Sequence, residues 1–314
     1  MTVPSHDERP ACAHVSTEAQ HPDTQQLDLL ALGDPAAAVD MMLRADHEIA
    51  AAIAEARNEI ATAVECVADC LSMGGRLLYI GAGTSGRLGV LDAVECPPTF
   101  QCDPSQVQGV LAGGRNAMFL SVEGAEDDRS AGARDLEALD VSKCDFVLGI
   151  SASASAPYVH GAIAYANRVG ARTALLACVP REELGDDAQL PLRIVTGPET
   201  LAGSTRLRAG TATKMVLNMI STLAMARLGK VHGNLMVDVN TAGNAKLFAR
   251  GCNLVSRLAP CDGERAKALL QDAQGSVKVA ILMGAEGLKR SAAEARLAEA
   301  KGVLREALSP RQDP

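Results

Sequence analysis

Short apolar runs alternate with longer amphipathic stretches through the middle of the chain. RLLYI at 76–80, VQGVLA at 107–112, DFVLGI at 145–150, RTALLACV at 172–179 and LRIVT at 192–196 are apolar on both faces. Runs of this kind suit strands buried in a parallel sheet with helices packed on both sides. Helical segments fit between most of them, so the pattern predicts an α/β fold with a doubly wound, five-stranded parallel sheet. In such folds ligands bind beyond the carboxyl ends of the strands, where this sequence places its Gly- and Ser-rich loops.

The flanks follow a different period. Residues 1–60 read as a polar N-terminal arm followed by helices. From Pro35 to Leu71 apolar residues recur at helical spacing (Ala38, Met41, Met42, Ile49, Ile53, Ile60, Val64), which predicts two helices. The sheet-bearing domain then spans 61–230 and closes on a long helix from Ser204 to Leu228. Residues 231–314 read as a C-terminal helical bundle, with turns at PCDGE and QGS.

Composition narrows the chemistry. The formal charge of −8 over 314 residues comes without a basic run, which argues against nucleic acid as a partner. The N-terminus has no apolar segment of a signal peptide and no stretch is long enough to span a membrane, so a cytoplasmic protein is expected. Nine cysteines at irregular spacing, with no CxxC pair, predict free and mostly buried thiols. Neither a metal nor a cofactor is expected.

Two loops are built like anion sites. GAGTSGR follows the strand RLLYI, and its glycines at 81, 83 and 86 let the backbone turn sharply into a helix. The amides of Thr84, Ser85 and Gly86 are then expected to face a phosphate at the helix N-terminus, beside Gly83 and Arg87. An ordinary tight turn is the competing explanation. SASASAPYV follows DFVLGI and offers the hydroxyls of Ser151, Ser153 and Ser155, although serines of this kind also serve as helix caps. The helix after GAGTSGR is expected to stop at Glu95 before Pro97–Pro98. From Arg87 to Glu95 that helix runs roughly 12 Å at ~1.5 Å per residue, which sets the carboxylate well away from its own loop.

The blocks GAGTSGRLGVLDAVECPPTF, VEGAEDD and GPETLAGSTRLRAGTATKMVLNMISTLAMARLGKVHGNLMVDV together resemble the N-acetylmuramic acid 6-phosphate etherases. The resemblance covers almost the whole chain. It implies a sugar isomerase (SIS) domain over 61–230 and a homodimeric lyase acting on a phosphorylated amino sugar. The implied reaction cleaves the D-lactyl ether to give N-acetylglucosamine 6-phosphate and D-lactate. Glu95 in DAVECPP carries over as the proton donor to the departing lactate, and Glu126 in VEGAED as the acid/base at C2. Glu199, Ser204, Thr205 and Arg206 in GPETLAGSTR carry over as residues near the sugar. Read without the family, Glu95 is also a helix-end carboxylate, Glu126 a surface charge and Arg206 a solvated cation. Because a hexose is shorter than the helix between loop and carboxylate, Glu95 is expected to serve the site of a partner subunit.

The family writes its second loop as Ser-Ala-Ser-Gly-Arg-Thr-Pro-Tyr, whereas this chain has Ala154, Ser155 and Ala156 at the Gly, Arg and Thr places. Alanine disfavours the left-handed backbone that glycine permits, so a changed loop with weakened phosphate binding is expected. The alternative function is a non-catalytic phosphosugar-sensing regulator of the same fold. Retention of both glutamates argues against it.

Overall fold

The computed structural model describes residues 34–182, 187–243 and 245–308. The expected polar arm at 1–33, with Cys12, lies outside the described residues. Five parallel strands, β1 (Leu77–Gly81), β2 (Val107–Leu111), β3 (Phe146–Ile150), β4 (Arg172–Ala177) and β5 (Leu190–Arg193), form one sheet in the order β2-β1-β3-β4-β5. All residues of β1 and β3 are buried, as an apolar run inside a two-sided sheet requires. The strand order reverses between β1 and β3, so a crevice opens beyond their carboxyl ends.

The segment expected to form two helices forms three: α1 (Pro35–His47), α2 (Ile49–Glu55) and α3 (Arg57–Ser72). Breaks at Glu48 and Ala56 let Ile49, Ile53, Ile60 and Val64 face the core without one continuous axis. One face of the sheet packs against α2, α3, α4 (Gly83–Phe100) and α7 (Arg208–Arg227). The other packs against α5 (Arg129–Glu137) and α6 (Pro157–Arg168). Gly132 and Gly161 let α5 and α6 approach closely, since a Cβ on either would lie within 2 Å of a backbone carbonyl oxygen.

Helix α4 departs from expectation at both ends. It starts at Gly83, inside the glycine loop, and it continues through Pro97 and Pro98 to Phe100. The prolines remove two intrahelical donors but do not stop the helix. Cys96 and Phe100 are buried on either side of them, so core packing holds the last turn, and Gln101 closes it in a left-handed conformation with φ 50°.

After α7 a hairpin of β6 (Val231–His232) and β7 (Leu235–Met236), which the sequence reading did not anticipate, leads to the C-terminal helices. These are α8 (Ala245–Leu258), α9 (Gly263–Asp272), α10 (Val277–Glu286), α11 (Arg290–Glu299) and α12 (Leu304–Leu308), and they surround a core of their own. Buried Lys278 fastens that bundle to the segment after the hairpin through Asp238, at 2.7 Å, and reaches the Gly302 carbonyl at 2.9 Å. Among the described residues no helix is long and apolar enough to cross a membrane.

Candidate active site

Beyond the carboxyl ends of β1 and β3 lies a cavity of about 340 Å³. Its walls include Gly83, Thr84 and Ser85 from the start of α4, and Ser151, Ser153 and Ser155 from the loop before α6. Gly203, Thr205 and Glu126 complete it from two further segments. Both predicted anion loops and one predicted glutamate therefore share one space.

The first wall follows from glycine. Gly83 takes φ +51°, a left-handed turn that swings the chain from β1 straight into α4. Gly81 and Gly86 touch, and a Cβ on Gly86 would lie 2.4 Å from the Gly81 oxygen. The N-cap residue Ala82 supplies no side-chain hydrogen bond, so the first amides of α4 have no capping side chain and face the cavity. One expectation needs correction: the Gly86 amide is bound to the Ala82 carbonyl at 3.1 Å, so Gly86 serves helix packing and the free donors are those of Gly83, Thr84 and Ser85.

The second wall is also a helix start but offers hydroxyls in place of open amides, since the Val159 and His160 amides bind the Ala156 carbonyl at 3.1 and 3.2 Å. The N-cap of α6 is Ala156, again without a side-chain bond, and Pro157 occupies the first helical position. Ser151 is buried, and its Oγ accepts from the Ala156 amide at 3.3 Å. The Ser153 and Ser155 hydroxyls bond to each other at 2.6 Å. Ala154 corrects the expectation about the lost glycine, because the alanine is fully buried and adopts φ +59°. Its carbonyl is held by His160 Nε2 at 2.6 Å, a contact across the start of α6 that no sequence signal announced. Nε2 must carry a hydrogen to meet a carbonyl oxygen. Tyr158, fully buried, donates to Asp135 of α5 at 2.6 Å and fixes this end of α6.

No lysine or arginine lines this cavity among the described residues, so amides and hydroxyls supply its attraction for an anion. Glu126 is exposed in a 3₁₀ turn (Ala125–Asp127) at the cavity wall. It also borders a smaller space of about 130 Å³ with Arg87 and Glu123.

Several predicted site residues stand elsewhere. Arg87 does not line the larger cavity; its Nε donates to the Ala117 and Met118 carbonyls at 3.0 and 3.3 Å. Glu199 is fully buried and accepts from the Arg208 and Ala209 amides at 2.8 and 3.0 Å. Burial pushes its carboxyl up, and those amides and the Arg208 charge oppose the shift. It pins the base of the loop that carries Gly203 and Thr205, instead of touching the cavity itself. Arg206 is exposed, and neither it nor Ser204 is among the lining residues. Gly203 was missed, because a lone glycine in a polar block gives no signal of its own.

Glu95 is exposed on α4, away from this cavity. From Gly83 to Glu95 the helix rises about 18 Å, more than the expected distance because α4 starts earlier. Exposed Leu91 and Val94 flank it. Neighbouring Cys96 is no nucleophile at neutral pH: burial, with the Asp92 charge nearby, pushes its thiol up to about 12.

A family model described as the glucokinase regulatory protein N-terminal SIS domain matches residues 59–167. Among solved structures, a phosphoheptose isomerase from Francisella tularensis aligns at 17% identity and a TM-score of 0.44, covering 62% of this chain and 98% of its own. Full-length relatives are much nearer. N-acetylmuramic acid 6-phosphate etherase 2 of Vibrio cholerae serotype O1 is 45% identical over 96% of this chain and 97% of its own length. The N-acetylmuramic acid 6-phosphate etherase of Gloeobacter violaceus is 49% identical over 96% and 98%. That of Synechococcus elongatus is 50% identical over 94% and 95%. With about half of its positions identical over nearly its full length, the chain belongs to the N-acetylmuramic acid 6-phosphate etherase family.

Proposed function

We propose that this protein is a carbon–oxygen lyase that cleaves the D-lactyl ether of N-acetylmuramic acid 6-phosphate, releasing D-lactate and N-acetylglucosamine 6-phosphate. The observation that carries the reading is the meeting of Glu126 with the open amides of α4 and four serines, Ser85, Ser151, Ser153 and Ser155, around one cavity. Amides of Gly83–Ser85 and hydroxyls of Ser151, Ser153 and Thr205 hold the phosphate. The sugar then extends toward Glu126.

In the ring-opened sugar the C1 aldehyde acidifies the C2 proton, and the ether leaves from C3. Glu126 removes the proton from C2, electrons form the C2–C3 double bond, and the C3–O bond breaks as an acid protonates the lactate oxygen. Water then adds at C3 and a proton returns to C2. Glu95 is the proposed acid. Its distance from the Gly83 amides supports an active site shared by two copies, with Glu95 reaching the cavity of its partner in a homodimer.

The test follows lactate release from N-acetylmuramic acid 6-phosphate in heavy-oxygen water. Lactate and label at C3 are expected; binding without lactate would leave a sensor and end the etherase reading. Glu126→Gln and Glu95→Gln should each lower kcat by about 10²–10⁴-fold. Coexpressing the two variants should restore part of the activity through mixed dimers that hold one intact site. No restoration, with mixed dimers verified, would sink the shared site.

A further inference from the structure

We propose that Arg87 positions Glu126 and does not bind the phosphate; the inference rests on the reading of Glu126 as the group acting at C2. Arg87 lies on α4 just beyond the amides that face the cavity. Its Nε–H is shared between the Ala117 and Met118 carbonyls, at 3.0 and 3.3 Å. Those carbonyls belong to the 3₁₀ turn Arg115–Met118, from which the chain runs directly to Glu126. One helix thereby fixes both ends of the substrate's surroundings, with its amides on the anion and its guanidinium on the strand of chain that delivers the carboxylate.

That stretch has little else to hold it. The backbone bonds of 119–127 are local, running from Phe119 and Leu120 to Asn116, from Ala125 to Val122 and from Asp127 to Gly124. Phe119 and Leu120 are 87% and 70% exposed and give it no core anchor. Ala125 rests against the core beside α6 and Val122 lies over Gly113, while Arg87 ties the turn from which the stretch starts. Arg87 also borders the 130 Å³ space together with Glu123 and Glu126, where its charge offsets two like charges. Arg87 is absent from the lining of the larger cavity, and its Nε–H is already committed to the two carbonyls.

The two roles separate in steady-state kinetics. Arg87→Ala is expected to lower kcat by about 10- to 100-fold with KM changed less than about twofold, because a misplaced base slows chemistry without loosening the anchor. Arg87→Lys should recover most of kcat, since an ammonium also donates to carbonyls. A KM rise of about tenfold with kcat retained marks a phosphate ligand and overturns the proposal, as do unchanged kinetics. Amide hydrogen exchange provides an arm that needs no turnover. Exchange at residues 119–127 should accelerate in the variant while β1 and β3 stay protected, and unchanged exchange there overturns the tether. If the wild type releases no lactate, the etherase reading fails while the exchange result still decides the tether. If Arg87→Ala does not fold, Arg87→Met, which keeps the apolar stem and removes the donors, carries both measurements.

Discussion

The two ends of the sheet are built to opposite standards. At the amino end of β3, Asp145 is almost fully buried and every need it has is met. It accepts from the Arg76 backbone amide at 3.0 Å, from Arg76 Nε and Nη2 at 3.0 and 2.8 Å, and from the Ser142 amide at 2.9 Å. At the carboxyl end, α4 and α6 begin without side-chain caps, Ala154 holds a left-handed turn, and Glu126 stands exposed. A stable protein gains nothing from open donors and strained backbone. Left-handed non-glycine residues also occur elsewhere, Asp140 beside Arg76 among them, so the open amides of α4 mark the place where a ligand completes the structure.

Mutations at the two ends should therefore differ in kind. Asp145→Ala leaves Arg76 Nε and two amides without their acceptor and the guanidinium without its counter-charge, while Nη1 and Nη2 keep the Leu139 and Asp140 carbonyls. About 3–5 kcal/mol of stability should disappear in denaturant titrations, with kcat of the folded fraction unchanged. The same carboxylate predicts acid sensitivity. Burial alone would raise it, but bonds from Arg76 and Ser142 hold it below the usual carboxylate range. A depressed pKa contributes stability that is present above the unfolded value of about 3.9 and is lost as pH falls through the folded value. Asp145→Asn should flatten the acid limb of the stability profile.

At the open end the effects on stability shrink and those on binding grow. Gly83→Ala places a Cβ at φ +51° and should cost about 1–2 kcal/mol while turning the α4 amides away, read as a higher KM. His160→Ala removes the bond to the Ala154 carbonyl and should cost about 0.5–1.5 kcal/mol. That cost should fall in an Ala154→Gly background, because glycine needs no clamp to keep the turn. Additive losses in that double-mutant cycle would disconnect His160 from the strained residue. Ala154→Gly alone has the smallest expected effect, a gain of up to about 1 kcal/mol in thermal unfolding.

The contrast also explains what could be read in advance. Buried strands such as β1 and β3 were legible because their solvation is the same on both faces, and an apolar run records that directly. The Gly83 turn was legible because only glycine relieves that backbone. Helix ends were less legible: proline's local penalty predicted a stop at Glu95, while burial of Cys96 and Phe100 carried α4 to Phe100. Arg87 and Glu199 stand near the cavity without lining it. Their partners, the carbonyls of Ala117 and Met118 and the amides of Arg208 and Ala209, are backbone groups with no letter in the sequence.

By itself, the sequence determined the strand set, the glycine turn into α4, the serine loop and the family to which its long blocks belong. Each depends on local periodicity or on a residue type with one physical use. Tertiary structure decided which of those residues meet. It set β1 beside β3, so that two loops about 70 residues apart share a cavity, and it brought Glu126 to the wall while α4 carried Glu95 about 18 Å away. It also let Ala154 keep a glycine's conformation, because burial and one histidine hold what the alanine would refuse alone.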